Sequence, residues 1–239
     1  MRFLACSADV FNPGEASDSP GRDAQKAVLR VREMYRRTVN LEEQGNGRRW
    51  SFVTAEDDFG PRTVLVDSLR PFKQEDPVVF SLEGIPAGYD PSLPPGRLND
   101  RWIPLTSEWS GFLEGDLEML ASPAGLRAFG ELLGLGPGST PAGDDFLAGY
   151  ITGSLWLGAS LFPVLDPGRT TWLSGSILKD VEDGFTWKRS RDMLEALATD
   201  DAKRVTAAVA HILDWGHSSG RAWLAGFSAA VSDTIERTA

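Results

Sequence analysis

The sequence predicts an α+β fold, in which a small antiparallel, barrel-like β-rich part at residues 1–110 packs on a mostly α-helical part at residues 111–239. Short runs of β-branched and apolar residues, bounded by Asp, Gly and Pro, lie in the first part. Longer segments that begin with helix-cap residues follow Gly111. A run of strands followed by a run of helices is typical of this class. The strand candidates are Trp50–Thr54, Thr63–Val66 and Val78–Leu82.

The composition limits the partners and cofactors of this chain. Its 239 residues suffice for one large domain or two small ones. Asp and Glu outnumber Lys and Arg by 34 to 24, and the resulting net charge of −10 argues against nucleic acid or an anionic membrane as a partner. A single cysteine, Cys6, and two histidines provide neither a disulfide framework nor a typical zinc motif. The first residues lack the pattern of a signal peptide, so we expect a cytoplasmic location.

The first part contains further segments with predictable structure. Arg2–Val10 favours a short first strand, and apolar residues on one side of Asp23–Leu41 predict a helix with a solvated basic face. Gly84–Gly96 is rich in Pro and Gly, which predicts a linker or a long loop. Trp102 and Trp109, beyond that segment, are predicted to fill a core or an interface.

The second part is predicted to consist of capped helices. The uncharged run Phe146–Leu165 has the length of a membrane span, but it contains Gly, Ser and Pro. Its Gly-x-x-x-Gly face, at Gly149 and Gly153, occurs in membrane helices and also in helices buried in a protein core. We expect a buried core helix, because only one such run is present. The predicted helices are Ser122–Leu133, Asp144–Ala159, Thr171–Lys179, Ser190–Ala198, Asp201–Trp215 and Ser219–Arg237.

The most unusual stretch is Gly134–Gly149, which reads GLGPGSTPAGDDFLAG. Its glycines allow the backbone to approach a ligand closely, and it leads into a helix N-terminus, where free N–H groups and the helix dipole attract anions. It lacks the lysine of a Walker loop, and its glycine spacing does not match the dinucleotide fingerprint. The plainer alternative is a helix C-cap, a loop and an N-cap in succession, with Asp144 as the N-cap.

A second segment of the chain is similar to this one. Gly143–Tyr150 aligns with Gly220–Phe227: Gly, Leu, Ala and Gly are identical, and both aromatic positions stay aromatic. Small residues on the two segments would allow two helices to pack closely. If the helices lie side by side and parallel, their N-termini meet at one place. Chance or ordinary helix composition is the alternative explanation for a match of this length.

Polar residues would converge where two such helix N-termini meet. Together with Arg221, the N-termini would bind phosphate or carboxylate groups. Asp144 and Asp145 could carry Mg²⁺, and His217 could act as an acid, a base or a hydrogen-bond donor. The structural alternatives are helix capping by Asp144, Ser218 or Ser219, and an ordinary turn position for His217. The predicted anion-binding residues are Gly136, Gly138, Ser139, Gly143, Asp144, Ser218, Ser219 and Arg221.

GLGPGSTPAGDDFLAG and GHSSGRAWLAG resemble the two signature segments of the AllH-like family, whose named member is a subunit of oxamate carbamoyltransferase in allantoin breakdown. GPRTVLVDSLRPFKQEDPVVF resembles the N-terminal β region of that family less specifically. Ser139 stands where the family pattern has Leu, and Ala142 where it has Ser. The resemblance implies that the chain handles carbamoyl phosphate, oxamate or related small anions, together with partner subunits.

Two functions are compatible with this resemblance. The first is an enzyme or enzyme subunit that transfers a carbamoyl or related group between carbamoyl phosphate and a small carboxylate, with His217, Asp145 and Thr140 as catalytic residues. Loop N–H groups, Thr140 and His217 would stabilise negative charge that develops on an oxygen. Asp144 or Asp145 would hold Mg²⁺ or orient the amine-bearing acceptor. The second is a non-catalytic anion-binding or assembly subunit of a multi-subunit metabolic complex. Both imply a small anionic ligand, leave Mg²⁺ open as a cofactor, and include neither nucleic acid nor a membrane as a partner.

Overall fold

The computed structural model describes residues 1–11, 26–113, 129–159 and 165–238. The chain divides into two compact units. The sheet unit comprises Met1–Ser92 and Phe185–Lys188, and the helical unit comprises Leu93–Gly184 and Arg189–Ala239. Strands lie in the N-terminal part and helices mostly in the C-terminal part, which confirms the predicted α+β class. The predicted division into domains at residues 1–110 and 111–239 stays a prediction.

Seven strands of the described chain build the sheet unit: β1 (Phe3–Ser7), β2 (Lys26–Met34), β3 (Thr38–Glu43), β4 (Arg49–Val53), β5 (Thr63–Val66), β6 (Pro77–Ser81) and β7 (Ala87–Tyr89). They form one curled, half-barrel sheet in the order β6-β2-β3-β4-β5-β1-β7. Neighbouring strands are antiparallel, except that β4–β5 and β1–β7 are parallel. The four predicted strands are confirmed as β1, β4, β5 and β6. Strand β7 lies in the segment predicted as a linker, so that prediction was wrong there.

Alternating side chains give the central strands one apolar and one polar face. Val39 on β3 is paired with Phe52 on β4, and both are fully buried in the core. Phe80 on β6 packs against Phe52, with 5.1 Å between their ring centroids. The next pair in the register is Asn40 and Ser51, and the Ser51 hydroxyl donates to Asn40 Oδ1 at 2.8 Å. A slip of one residue would exchange these faces, so the core fixes the register.

The helix predicted over Asp23–Leu41 is wrong. The described part of this segment forms β2 and β3, which pair as an antiparallel hairpin. Leu29 and Val31 are fully buried, whereas Val28 and Arg30 beside them are exposed. This burial has the period of two of a strand and not the 3.6-residue period of a helix. Pairing of β2 with β6, which is distant in sequence, supplies the apolar surface that selects the strand.

Helices form most of the helical unit, and the predicted helices are confirmed wherever they fall in the described residues. The start of the predicted helix Ser122–Leu133 lies outside the described residues. The helix of the Gly-rich stretch begins at Ala142, two residues before the predicted start. The described helices are α1 (Ile103–Glu108), α2 (Phe129–Leu132), α3 (Ala142–Trp156), α4 (Trp172–Glu182), α5 (Lys188–Leu197), α6 (Ala202–Leu213) and α7 (Ser219–Thr238).

The described part of the uncharged run forms a buried helix, as predicted. Phe146, Leu147 and Ile151 of α3 are at most 1% exposed. Among the helices that the structure describes, none combines the length and the apolarity needed to cross a membrane. Trp102 and Trp109 are also buried, in agreement with their predicted role.

Two glycines form the contact between α3 and α7. A Cβ atom on Gly149 would lie 2.0 Å from the carbonyl oxygen of Trp223, and one on Gly226 would lie 1.9 Å from that of Phe146. Real Cβ atoms essentially never approach another heavy atom within 3.0 Å. The contact is reciprocal, because Gly149 aligns with Gly226 and Phe146 aligns with Trp223 in the two similar segments.

The helices that precede α3 and α7 are packed in the same way. A Cβ atom on Gly143 would lie 2.0 Å from the Leu132 carbonyl oxygen at the end of α2. One on Gly220 would lie 1.9 Å from the Ile212 carbonyl oxygen near the end of α6. The aligned segments are therefore equivalent in space as well as in sequence. We describe α2–α3 and α6–α7 as two copies of one helix–turn–helix unit.

The turns of the two copies differ in length. Gly143 N donates to Leu135 O at 2.9 Å, and Gly220 N donates to Trp215 O at 3.0 Å, so equivalent hydrogen bonds close both turns. The bonded residues are eight positions apart in the first copy (143 − 135) and five apart in the second (220 − 215). The first turn is therefore three residues longer, and the extra residues fall in the Gly-rich stretch.

Replacing Gly149 by alanine should destabilise the protein. The new methyl group would force α3 and α7 apart, and overpacking of this kind costs roughly 1–3 kcal/mol. Urea denaturation followed by circular dichroism measures the loss as a lower midpoint. Gly111→Ala is the matched control, because a Cβ atom there meets nothing within 4 Å. Equal midpoints for Gly149→Ala and wild type would refute the close contact.

Candidate functional site

The Gly-rich loop, residues 134–141, joins α2 to α3. Gly134, Gly136 and Gly138 have φ values of 76°, 116° and 96°, in the region that favours glycine. Gly136 and Gly138 are exposed, whereas Thr140 is partly buried. Pro141 is extended and caps α3 without a side-chain hydrogen bond. The loop thus presents its middle to solvent and its end to the start of a helix.

The predicted N-cap role of Asp144 is wrong. Because α3 begins at Ala142, Asp144 lies in the first turn of the helix. One of its carboxylate oxygens accepts the N–H of Gly134 at 2.7 Å, and the other accepts the hydroxyl of Thr170. Asp144 is only 2% exposed. Its carboxylate therefore ties the first residue of the loop to α3, with both oxygens bound to protein donors.

A segment that the sequence analysis did not single out holds the loop from one side. We call Arg169–Thr171, just before α4, the strap. A Cβ atom on Gly134 would lie 2.4 Å from the Arg169 carbonyl oxygen, so the strap needs a glycine at this point. The Thr171 hydroxyl donates to the carbonyl oxygen of Ser139 at 2.6 Å. Thr171 is recognisable as a helix N-cap, but its loop partner is 32 positions away, and no local pattern predicts that contact.

Asp145 is directed to the other copy of the helix–turn–helix unit. Its carboxyl group forms a hydrogen bond with the Ser219 side chain at the start of α7. Asp145 Oδ2 is buried and has no hydrogen-bond partner among the described residues. Burial raises the pKa of the Asp145 carboxyl to about 7; the Ser219 hydrogen bond opposes this rise, and the charge of Asp144 adds to it. The N-termini of α3 and α7 therefore meet at the Asp145–Ser219 hydrogen bond.

The other candidate residues of the second copy lie at the surface. His217 and Ser218 are exposed in the turn before α7, and Arg221 is exposed in its first turn. The structure thus brings Asp145 and Ser219 together. The ligand-binding and catalytic roles of His217, Ser218 and Arg221 stay predictions.

The two aspartates do not form a joint cation site. Asp144 is bound to the loop and the strap, whereas Asp145 is bound to Ser219. Within the described part of the chain, no group of three or more His, Cys, Asp or Glu side chains could hold a metal ion. Asp144 and Asp145 therefore do not fit an Mg²⁺ ion held between their two carboxylates, which is the arrangement that the sequence suggested.

The arrangement favours chemistry on small anions. Loop N–H groups and the positive ends of two helix dipoles attract negative charge. A carboxyl group with a pKa near neutrality can accept or donate a proton under ordinary conditions. The loop is also fixed, by Asp144 on one side and by the strap on the other, so its donors need little reorganisation when a ligand binds.

These features define a protein with a duplicated helix–turn–helix unit, a Gly-rich loop in one copy, and a buried carboxyl group where the helix N-termini meet. The model of the family described as oxamate carbamoyltransferase subunit AllH matches residues 132–231. This match begins in α2 and ends in α7, so it contains both turns. Over this segment the chain is similar to the AllH-like family, which confirms the resemblance found in the sequence. Neither the curated proteins nor the solved structures gave a significant match.

The raised pKa of Asp145 predicts that stability falls as the pH rises from about 4 to about 7. The folded protein keeps this proton until the pH reaches about 7, whereas the unfolded chain releases it near 3.8. The folded state therefore binds more protons within this window, and its stability decreases by up to roughly 1.4 kcal/mol per pH unit. Asp145→Asn removes the ionisation, so the variant should gain stability over wild type as the pH rises.

Urea denaturation of both proteins at pH 5 and pH 8 measures this gain. Exposed Asp214, changed to asparagine, serves as the control for loss of one carboxylate from the helical unit. A stability difference between wild type and Asp145→Asn that is the same at both pH values would contradict the raised pKa.

Proposed function

We propose that this chain is an enzyme subunit that transfers a carbamoyl or related group between carbamoyl phosphate and a small carboxylate. The family description that matches residues 132–231 names a carbamoyltransferase subunit, which supports this reaction class. The single observation that carries the proposal is the Asp145–Ser219 hydrogen bond. It joins the N-termini of α3 and α7 inside the matched segment, where two helix dipoles act on the same small volume.

Anion binding is assigned to the Gly-rich loop and the turn before α7. The exposed glycines Gly136 and Gly138 leave the middle of the loop accessible to a ligand, and Gly143 lies in the first turn of α3. Arg221 in the first turn of α7 would pair with a phosphate or carboxylate oxygen. Ser139 and Ser218 add hydroxyl groups that can donate to the same ligand, and Ser219 holds the Asp145 carboxyl group beside it.

The transfer step requires charge stabilisation and proton handling. The acceptor nitrogen attacks the carbamoyl carbon and forms a C–N bond; the C–O bond to phosphate breaks, and phosphate leaves with the electron pair. Thr140, His217 and loop N–H groups would stabilise the charge that develops on the carbonyl oxygen. Asp145 would accept the proton that the acceptor nitrogen loses, a role that suits a carboxyl group titrating near neutral pH.

A second candidate is a non-catalytic anion-binding or assembly subunit of a metabolic complex. The exposure of His217, Ser218 and Arg221 supports this candidate. The part of the proposed site that these residues form is open to water or to another protein. The family description names a subunit, which is consistent with partner chains. A place in allantoin or purine catabolism and a cytoplasmic location are part of the proposal for either role.

Inorganic phosphate should bind to the purified protein, and Arg221→Ala should weaken that binding. A charge-assisted hydrogen bond contributes roughly 1.5–3 kcal/mol, which corresponds to about a 10- to 100-fold higher Kd. Isothermal titration calorimetry measures both values. Arg237→Ala is the matched control, because it removes the same charge from the other end of α7, where Arg237 pairs with Asp233. Unchanged affinity in folded Arg221→Ala would remove Arg221 from the site.

Catalysis should depend on His217 more than binding does. A donor that acts on developing charge lowers the barrier without equal effect on the ground state, and losing one costs on the order of 10²–10³ in rate. The assay is phosphate release from carbamoyl phosphate with oxamate, with and without candidate partner subunits, for wild type, His217→Ala and Asp145→Ala. His211→Gln controls for loss of the other histidine. Full turnover in both variants would overturn the catalytic assignment, and tight binding without turnover in any combination would favour the second candidate.

A further inference from the structure

The hydroxyl group of Thr171 connects the Gly-rich loop to the start of α4. Thr171 Oγ1 accepts the N–H of Ser174 at 3.1 Å and so caps α4. The same hydroxyl donates its proton to the carbonyl oxygen of Ser139 at 2.6 Å. Both capacities of the hydroxyl are used: the helix needs its lone pair, and the loop needs its proton.

The bond to Ser139 determines the direction of the next N–H group. The described peptide bonds are all trans, so the C=O of Ser139 and the N–H of Thr140 point in opposite directions from one rigid plane. Because Thr171 holds the C=O, the N–H of Thr140 must point away from α4. Neighbouring contacts reinforce this orientation, since Arg169 and Thr170 of the strap engage the loop start and Asp144.

We infer that Thr171 is a positioning residue of the anion site: its hydroxyl fixes the Ser139–Thr140 peptide plane so that the Thr140 N–H faces the bound anion. This inference rests on the proposed function, and it adds a residue that contacts no ligand itself. A freely rotating peptide plane would present the Ser139 carbonyl oxygen to the anion in part of the population. That oxygen repels an anion, so the hydroxyl of Thr171 acts on affinity through orientation.

Three substitutions at this position separate positioning from helix capping. Thr171→Ser keeps both hydrogen bonds. Thr171→Val keeps the shape and loses both, and Thr171→Gly loses the loop bond while glycine remains an adequate N-cap, within a few tenths of a kcal/mol of a hydroxyl residue. Asp201→Ala is the matched control, because it removes the N-cap of α6, which accepts from Lys203 and Arg204 and does not contact the loop.

Calorimetric titration with inorganic phosphate, paired with a thermal melt, gives the decisive comparison. We expect wild-type affinity for Thr171→Ser and Asp201→Ala, and a roughly 10- to 100-fold higher Kd for Thr171→Gly and Thr171→Val. If Thr171→Val does not fold, Thr171→Gly carries the test. Wild-type affinity in folded Thr171→Gly would overturn the inference and leave the proposed function standing. A wild-type protein that does not bind phosphate would overturn the proposed function, and the inference with it.

Discussion

The contact between α3 and α7 is the constraint on which the helical unit depends. At Gly149 and Gly226 each helix lies directly on the backbone of the other, with no space for a side chain. This close approach sets the position of both helix N-termini, because an α-helix is rigid over the few residues between the contact and its start. Asp145 and Ser219 therefore meet because Gly149 and Gly226, which lie within two helical turns of them, allow the two helices to approach closely.

Adjacent aspartates have different roles because they point to different neighbours. Asp144 is bonded to Gly134 and Thr170, and so fixes the shape of the loop. Asp145 is directed to α7, where burial makes its ionisation costly and brings its pKa near neutrality. Successive residues of a helix are about 100° apart around the axis, so neighbouring side chains necessarily point to different surroundings. One carboxylate thus stabilises the site, and the other is available for its chemistry.

Elements that depend on local residue patterns were predicted correctly from the sequence. Elements and contacts that depend on segments distant in the chain were not. β5 was predicted at its observed bounds, because its residues are β-branched or apolar and its ends are marked by turn residues. The segment Asp23–Leu41 was assigned to a helix because its apolar residues lie on one side at helical spacing, whereas pairing of β2 with β6 selects the strand. The two helix N-termini were predicted to meet from the repeated glycines, which are visible in the sequence. The strap was not predictable, because its contacts with the loop join residues separated by a long stretch of chain.

The unequal turns of the two copies have a consequence for how such a protein can change over time. The equivalent hydrogen bonds from Gly143 and Gly220 close both turns, although the first is longer by three residues. A difference of three residues is therefore compatible with the same closing hydrogen bond and the same glycine contact between the helices. The helix contact and the Gly-rich turn are separate parts of the molecule, so substitutions in the turn can change ligand preference without loss of the fold.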